Sequence, residues 1–281
     1  MIAVVTESVA DLPPALVQEW GIPTVPYVVT WDGNTYRDGV DLDPSELYRA
    51  MRTPDTSVST GFPSAAAFEE LYQKAGEGAD GVLSVHISGD LSGGYAQAAQ
   101  VASRMASALP IRALDSRTVS MAQGYVALAA ARAASLGRSL EEVVRAAEKA
   151  RDEVFFVAAF DTLEYLFRGG RLKRSAYLLG SALRIKPIIA AVDGKLQPIG
   201  RARNLSQAIR RIADMVAERA KGTTLHFTAM HSDNLEGAHQ LLESVTARVK
   251  PVDGYVNQIT PALGAHGGPG LVAACIWAET G

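Results

Sequence analysis

Along the first 150 residues, short apolar runs alternate with amphipathic stretches, which predicts strands and helices in turn and hence a largely parallel sheet. Residues 2–5 read as a buried strand. A short helix follows, capped by Asp11 or Leu12, with Pro13 and Pro14 in its first turn and Gly21 just past its end. Residues 24–31 and 34–36 flank Asp32-Gly33, a pair suited to the positive-φ positions of a type I′ turn, and predict a hairpin. Asp43, Pro44 and Glu46 open the next helix as N-cap, N1 residue and acidic partner of a capping box. Strands are expected at 57–60, 81–87 and 111–115, and helices from about Ser64, Tyr95, Gln123 and Ser139. Ser139-Leu140-Glu141-Glu142 is a second capping box, and its helix ends near Arg151.

The pattern then restarts. Residues 154–160 form a continuous apolar run, as in a strand buried on both faces. A helical turn over 161–167 stops at Gly169-Gly170, and a helix over 175–183 is broken by Lys186-Pro187. Residues 188–192 and 195–199 flank Asp193-Gly194 as a second hairpin. Asn204 caps a long helix with Gln207 at N3 and Ile209, Ile212, Met215 and Val216 on its apolar side. Strands over 224–230 and 255–259 flank a helix over 235–249. The expected organisation is two α/β domains, 1–151 and 152–281, with no Pro-, Gly- or Ser-rich linker between them, so that they pack directly.

Composition narrows the function classes. Hydrophobic residues make up 48% and charged residues 20% of 281, which is globular composition. The single cysteine, Cys275, lies in an apolar run and suits a reducing compartment. No basic leader precedes the first apolar run, and no stretch reaches the ~20 apolar residues of a transmembrane helix, so a cytoplasmic protein without a transmembrane segment is expected. The net charge of −3 conceals an asymmetry: from Arg168 to Arg211 there are eleven Lys or Arg and one acid, Asp193, which leaves a balance of −13 elsewhere. Such a basic stretch suits an anionic ligand or an acidic partner surface. It holds Tyr177 as its sole aromatic, in an acidic chain, so nucleic acid is not expected as a partner.

Four loops at the ends of predicted strands carry candidate chemistry, since open α/β sheets bind ligands at the carboxyl ends of their strands. Ser88-Gly89-Asp90-Leu91-Ser92-Gly93-Gly94-Tyr95 places a hydroxyl among glycines at a helix N-terminus, a cradle for a carboxylate or phosphate. Thr60-Gly61-Phe62-Pro63-Ser64 offers the Thr60 hydroxyl, with Ser64 as an N-cap. His266 stands in the glycine-rich stretch 261–270, where it can donate to an anion or take up a proton. Arg171, after Arg168-Gly169-Gly170, suits bidentate contact with an anion. His226 and His231 lie five apart on a strand and point to opposite faces, so with one cysteine no metal site is expected.

Together these segments resemble the DegV family, whose members include the fatty-acid-binding subunits of bacterial fatty acid kinase. Thr6-Glu7-Ser8 is similar to the family's Thr-Asp-Ser, Thr60-Gly61-Phe62-Pro63-Ser64 to Thr-Ser-Gln-Pro-Ser, and Leu91-Ser92-Gly93-Gly94-Tyr95 to Leu-Ser-Gly-Thr-Tyr. Asp161-Thr162-Leu163-Glu164-Tyr165-Leu166 with Gly169-Gly170-Arg171, Ile185-Lys186-Pro187-Ile188 with Asp193-Gly194, and His266-Gly267-Gly268-Pro269-Gly270 follow in order. The resemblance implies an N-terminal α/β domain with a mostly parallel sheet and a C-terminal one with a mixed sheet, with an acyl chain in a tunnel between them. It implies that Thr60, Ser92 and His266 hold a long-chain fatty-acid carboxylate, with Gly93 supplying a backbone N–H and no cofactor or metal required. Arg171 would lie near the surface that meets the kinase subunit, which phosphorylates the carboxylate to an acyl phosphate for phospholipid metabolism; Arg203 matches a further family arginine. On this reading the chain is a non-catalytic lipid-binding subunit. The sequence departs from the family at Glu7 for Asp, at Gly61-Phe62 for Ser-Gln and at Gly94 for Thr.

The alternative is a serine esterase or lipase-like hydrolase using Ser92 and His266, with Asp233 as the acid. Ser92 follows a strand and precedes a helix, as a nucleophile elbow does, but the elbow's glycine two residues earlier is replaced by Asp90.

Overall fold

A computed structural model describes residues 1–53, 56–172 and 185–281. The helix expected over 175–183 lies outside these residues. The strands form three sheets. The first is wholly parallel, in the order β2-β1-β6-β7, built from β1 (Ile2–Glu7), β2 (Thr24–Val25), β6 (Gly81–His86) and β7 (Ile111–Asp115). A small antiparallel sheet joins β3 (Val28–Trp31) to β4 (Asn34–Arg37) and β5 (Val58–Gly61). The third is mixed, in the order β10-β9-β8-β13-β11-β12. It comprises β8 (Val154–Ala159), β9 (Lys186–Val192), β10 (Lys195–Ala202), β11 (Thr224–His231), β12 (Asp253–Gln258) and β13 (Val272–Glu279), and only β11 and β12 run parallel.

Period-two alternation sorts each strand's side chains onto two faces. In the parallel sheet, Val5 and Val82 pack with Phe68, Tyr72, Ala98 and Val101 from the helices Ala65–Gly76 and Gly94–Met105. Val4 and Leu83 turn the other way, toward Val126 and Ala130 of the helix Met121–Ser135. In the mixed sheet, Phe156, Ala158, Ala273 and Cys275 share that same cluster, whereas Phe155, Val157, Ala274 and Ile276 pack with Ile209, Ile212 and Leu241 of the outer helices. The helix Met121–Ser135 is therefore covered by both sheets, which explains its unbroken burial from Met121 to Ala131 and its Ala-rich sequence. A Cβ at Gly124 would stand 2.9 Å from the Ala10 carbonyl. One core cluster thus runs through both halves of the chain.

Two local expectations change. Residues 24–31 are not one strand: β2 pairs with β1 and β3 with β4 and β5, and Pro26 stands between them, without an N–H to continue a ladder. Asp11 does not cap the first helix, Pro14–Trp20, whose N-cap is Pro13. Asp11 is instead buried, with φ 49°, and its carboxylate serves a tertiary contact. The turn residues behave as their chemistry requires: Asp32 and Gly33, and Asp193 and Gly194, all have positive φ. Ser139 and Glu142 close a reciprocal capping box, whereas the Asp43 carboxylate takes the amide of Ser45. No described helix is long and apolar enough to cross a membrane.

Candidate functional site

A cavity opens between the two halves of the chain. Val9, Ile87 and Val119 line it from one side and Phe156, Phe160 and Leu271 from the other. Apolar side chains dominate its lining, as in small-molecule sites. Its few polar side chains include Tyr27, Thr60, Ser92, Arg171 and His266. Thr60, Arg171 and His266 also line an adjoining polar recess with Arg52 and Arg168. An apolar chamber therefore ends at a hydroxyl- and imidazole-lined wall, beyond which lies a basic mouth.

The fold brings Thr60, Ser92 and His266 to this wall by three routes. Thr60 is the penultimate residue of β5, paired with Val29. Ser92 lies in the loop after β6, at the carboxyl ends of the parallel strands. His266 lies in the last turn of a short helix, Pro261–Gly267, and not in a glycine-rich loop as its sequence suggests. A Cβ at Gly264 would fall 2.1 Å from the Tyr48 ring, so the helix can approach that closely only because position 264 lacks a side chain.

Thr60 Oγ1 and His266 Nε2 are 2.8 Å apart. His266 Nδ1 is buried with no hydrogen-bond partner among the described residues and packs against Gly169. A proton there would be a buried unsatisfied donor, which favours the tautomer carrying it on Nε2. In that arrangement His266 donates to Thr60, and the Thr60 hydroxyl proton is free to meet a ligand. Burial first, and then the nearby Arg171, push the His266 pKa down to about 4, so the imidazole is neutral at physiological pH.

Ser92 Oγ lies 2.7 Å from the Tyr27 hydroxyl and accepts the Gly94 amide at 3.2 Å. Gly93 is the N-cap of the following helix, and its own amide has no acceptor among the described residues. The exposed Phe62 ring packs against the Gly93 Cα, since a Cβ at 93 would stand 2.7 Å from that ring. Arg171 is half-buried; its Nε donates to the Leu91 carbonyl at 3.1 Å and its Nη1 to the Gly169 carbonyl. It thus lines both the cavity and its mouth, rather than standing only on the outer surface. Arg203 is exposed in a separate groove with Arg201 and Arg211 and is not brought to this wall.

Sequence reasoning missed three groups. Tyr27 sits between a proline and a strand in a segment that reads as apolar. Asp11 and Asp38 are buried carboxylates that accept the amides of Thr260 and Ala262 at 2.9 and 2.8 Å, holding the start of the His266 helix.

A hydrolase triad is not assembled. Ser92 is engaged with Tyr27, His266 Nε2 with Thr60, and no acid meets Nδ1 among the described residues. Asp233, the acid such a triad requires, is paired with Arg52 at 2.8 Å. Cys275 is fully buried in β13, where burial raises its thiol pKa to about 12. No group of three or more potential metal ligands gathers among the described residues.

Residues 1–279 match the family model described as an uncharacterised protein of the DegV family. A DegV domain-containing protein of Streptomyces coelicolor is 36% identical over 98% of each chain. A solved structure described as fatty acid binding of a DegV family protein from Thermus thermophilus superposes with a TM-score of 0.92 at 31% identity, covering 99% of both chains. That of DegV from Bacillus subtilis, described as a fatty acid binding protein, gives 0.90 at 30%, again over 99% of both.

Proposed function

The chain belongs to the DegV family, and on that premise we propose that it binds a long-chain fatty acid between its two halves and presents the carboxylate to a fatty acid kinase subunit. The observation that carries this reading is the pairing of an apolar chamber with a polar wall of Thr60, Ser92 and His266. The acyl chain fills the chamber, contributing at most about 0.8 kcal/mol per buried methylene. The carboxylate meets the Thr60 and Ser92 hydroxyls and the Gly93 amide, and the neutral His266, donating to Thr60, turns the Thr60 proton toward it. None of these neutralises it, so it keeps the nucleophilic oxygen that phosphorylation to an acyl phosphate needs. Arg171, with Arg52 and Arg168 at the mouth, faces the side from which a phosphoryl group would arrive. The chain itself supplies no catalytic group; it shields the tail and holds the head.

Denaturing extraction of the purified protein followed by mass spectrometry tests the binding step. A stoichiometric fatty acid is expected. Recovery of none, together with no binding of added palmitic acid, overturns the reading.

A further inference from the structure

We infer that Tyr27 is a positioning residue for the head group, acting through Ser92; the inference rests on the reading of Ser92 as a carboxylate holder. Tyr27 is buried, and its hydroxyl lies 2.7 Å from Ser92 Oγ. Behind it, Glu7 is fully buried at the end of β1. The Glu7 Oε2 accepts the Ile87 amide at 3.0 Å and the Gln123 side-chain amide at 3.4 Å, while Oε1 lies 3.0 Å from His86 Nδ1. The Glu7 Oε1 and the Tyr27 hydroxyl converge on one point: a Cβ at Gly94 would stand 2.7 Å from the first and 2.6 Å from the second.

Burial, and then the charge of Glu7, hold Tyr27 in its protonated form. Its hydroxyl proton therefore has the Ser92 oxygen, 2.7 Å away, as its hydrogen-bond acceptor. Were Ser92 the donor of that contact, its hydrogen would point to Tyr27 and it would present only lone pairs to the chamber. With the proton turned to Ser92, the Ser92 oxygen is saturated by Tyr27 and the Gly94 amide, and its hydrogen is released toward the chamber. An anionic head group selects the second arrangement, because a chain of hydroxyls all donating toward the anion reinforces itself. Tyr27 thus makes Ser92 a donor when an anion is present.

The test compares palmitic acid with hexadecan-1-ol, the same chain without the carboxylate, by equilibrium binding to wild type, Tyr27→Phe, Ser92→Ala and the double variant. Wild type is expected to prefer the acid. Tyr27→Phe should weaken acid binding about tenfold or more, the scale of a hydrogen bond to a charged group, and leave the alcohol unchanged. The double variant should bind the acid no more weakly than Ser92→Ala alone. Unchanged acid binding in Tyr27→Phe, equal loss for acid and alcohol, or full additivity with Ser92→Ala overturns the inference. No preference for the acid in wild type would instead remove the head-group reading on which it rests.

Discussion

The Asp11 carboxylate accepts the backbone amide of Thr260 at 2.9 Å, bridging 249 residues of chain at the start of the helix that carries His266. Its other oxygen takes the Ser120 hydroxyl at 2.5 Å, and Asn257 donates to the Asp11 carbonyl at 2.8 Å. Burial raises the Asp11 pKa from 3.8 to about 7. Between those values the folded chain holds a proton that the unfolded chain releases, so this contribution to stability is complete below the lower value and is lost as pH rises through the upper one. Asp11→Asn keeps an oxygen for the Thr260 amide and abolishes the titration. Its stability relative to wild type should therefore improve from about pH 4 to pH 8, by up to about 4 kcal/mol. Urea denaturation at several pH values measures the difference; one that is constant with pH would contradict the assignment.

His266 works in the opposite sense. Its pKa in the folded chain, about 4, lies below the ordinary 6.5, so the fold favours the neutral ring. That contribution is present above the ordinary value and is lost as pH falls through the folded one. His266→Gln, which retains a donor for Thr60, should gain on wild type toward acid by up to about 3 kcal/mol. The same denaturation series reads this out, and a gain toward alkali instead would show that His266 is charged in the fold.

Gly264 illustrates a contest of magnitudes. Glycine to alanine inside a helix ordinarily stabilises by about 1 kcal/mol. Here the added methyl meets Tyr48, a fully buried ring whose hydroxyl donates to the Ile259 carbonyl at 2.6 Å. Overpacking costs typically about 1–3 kcal/mol, so Gly264→Ala should lower the melting temperature and, by shifting the His266 helix, weaken palmitic acid binding. A stabilised variant with unchanged binding would mean that Tyr48 yields freely.

Two departures from the family pattern meet in one space. A side chain at Gly94 collides with the Glu7 Oε1 and the Tyr27 hydroxyl, whereas shortening Glu7 to aspartate withdraws the carboxylate by one methylene. Gly94→Thr alone should destabilise by about 1–3 kcal/mol, and Glu7→Asp should recover part of that loss. Denaturation of the two single variants and the double completes the cycle; strict additivity would show that the positions do not sense each other.

Arg171 tests the link to the kinase. Its contacts are to the carbonyls of Leu91 and Gly169 rather than to Thr60, Ser92 or His266. Arg171→Ala should retain fatty acid on extraction while acyl phosphate formation with the kinase subunit falls at least tenfold, the scale of a lost charge-assisted contact. Equal loss of both would assign Arg171 to holding the head group.

Much of the fold was legible because its signals are local. The Ser139–Glu142 capping box, the Asn204 cap and the two Asp-Gly turns depend on residues within four positions of one another, and all form. The all-round burial of the helix Met121–Ser135 was not legible, because an Ala-rich helix reads alike whether one sheet or two cover it. Thr60, Ser92 and His266 were each picked out by residue type beside glycine and a strand end. That Thr60 and His266 touch, 206 residues apart, was not.

By itself the sequence determined most of the strands and helices and the residue types at the strand ends, since these follow from periodicity and backbone chemistry over a few residues. Only the tertiary structure decided which groups meet. Glu7 and Tyr27 stand behind Ser92, and Asp11 and Asp38 hold the His266 helix from across the chain. The physical reason is burial: a carboxylate or phenol removed from water must find its partner wherever the packed chain brings one, and no spacing along the sequence encodes that meeting.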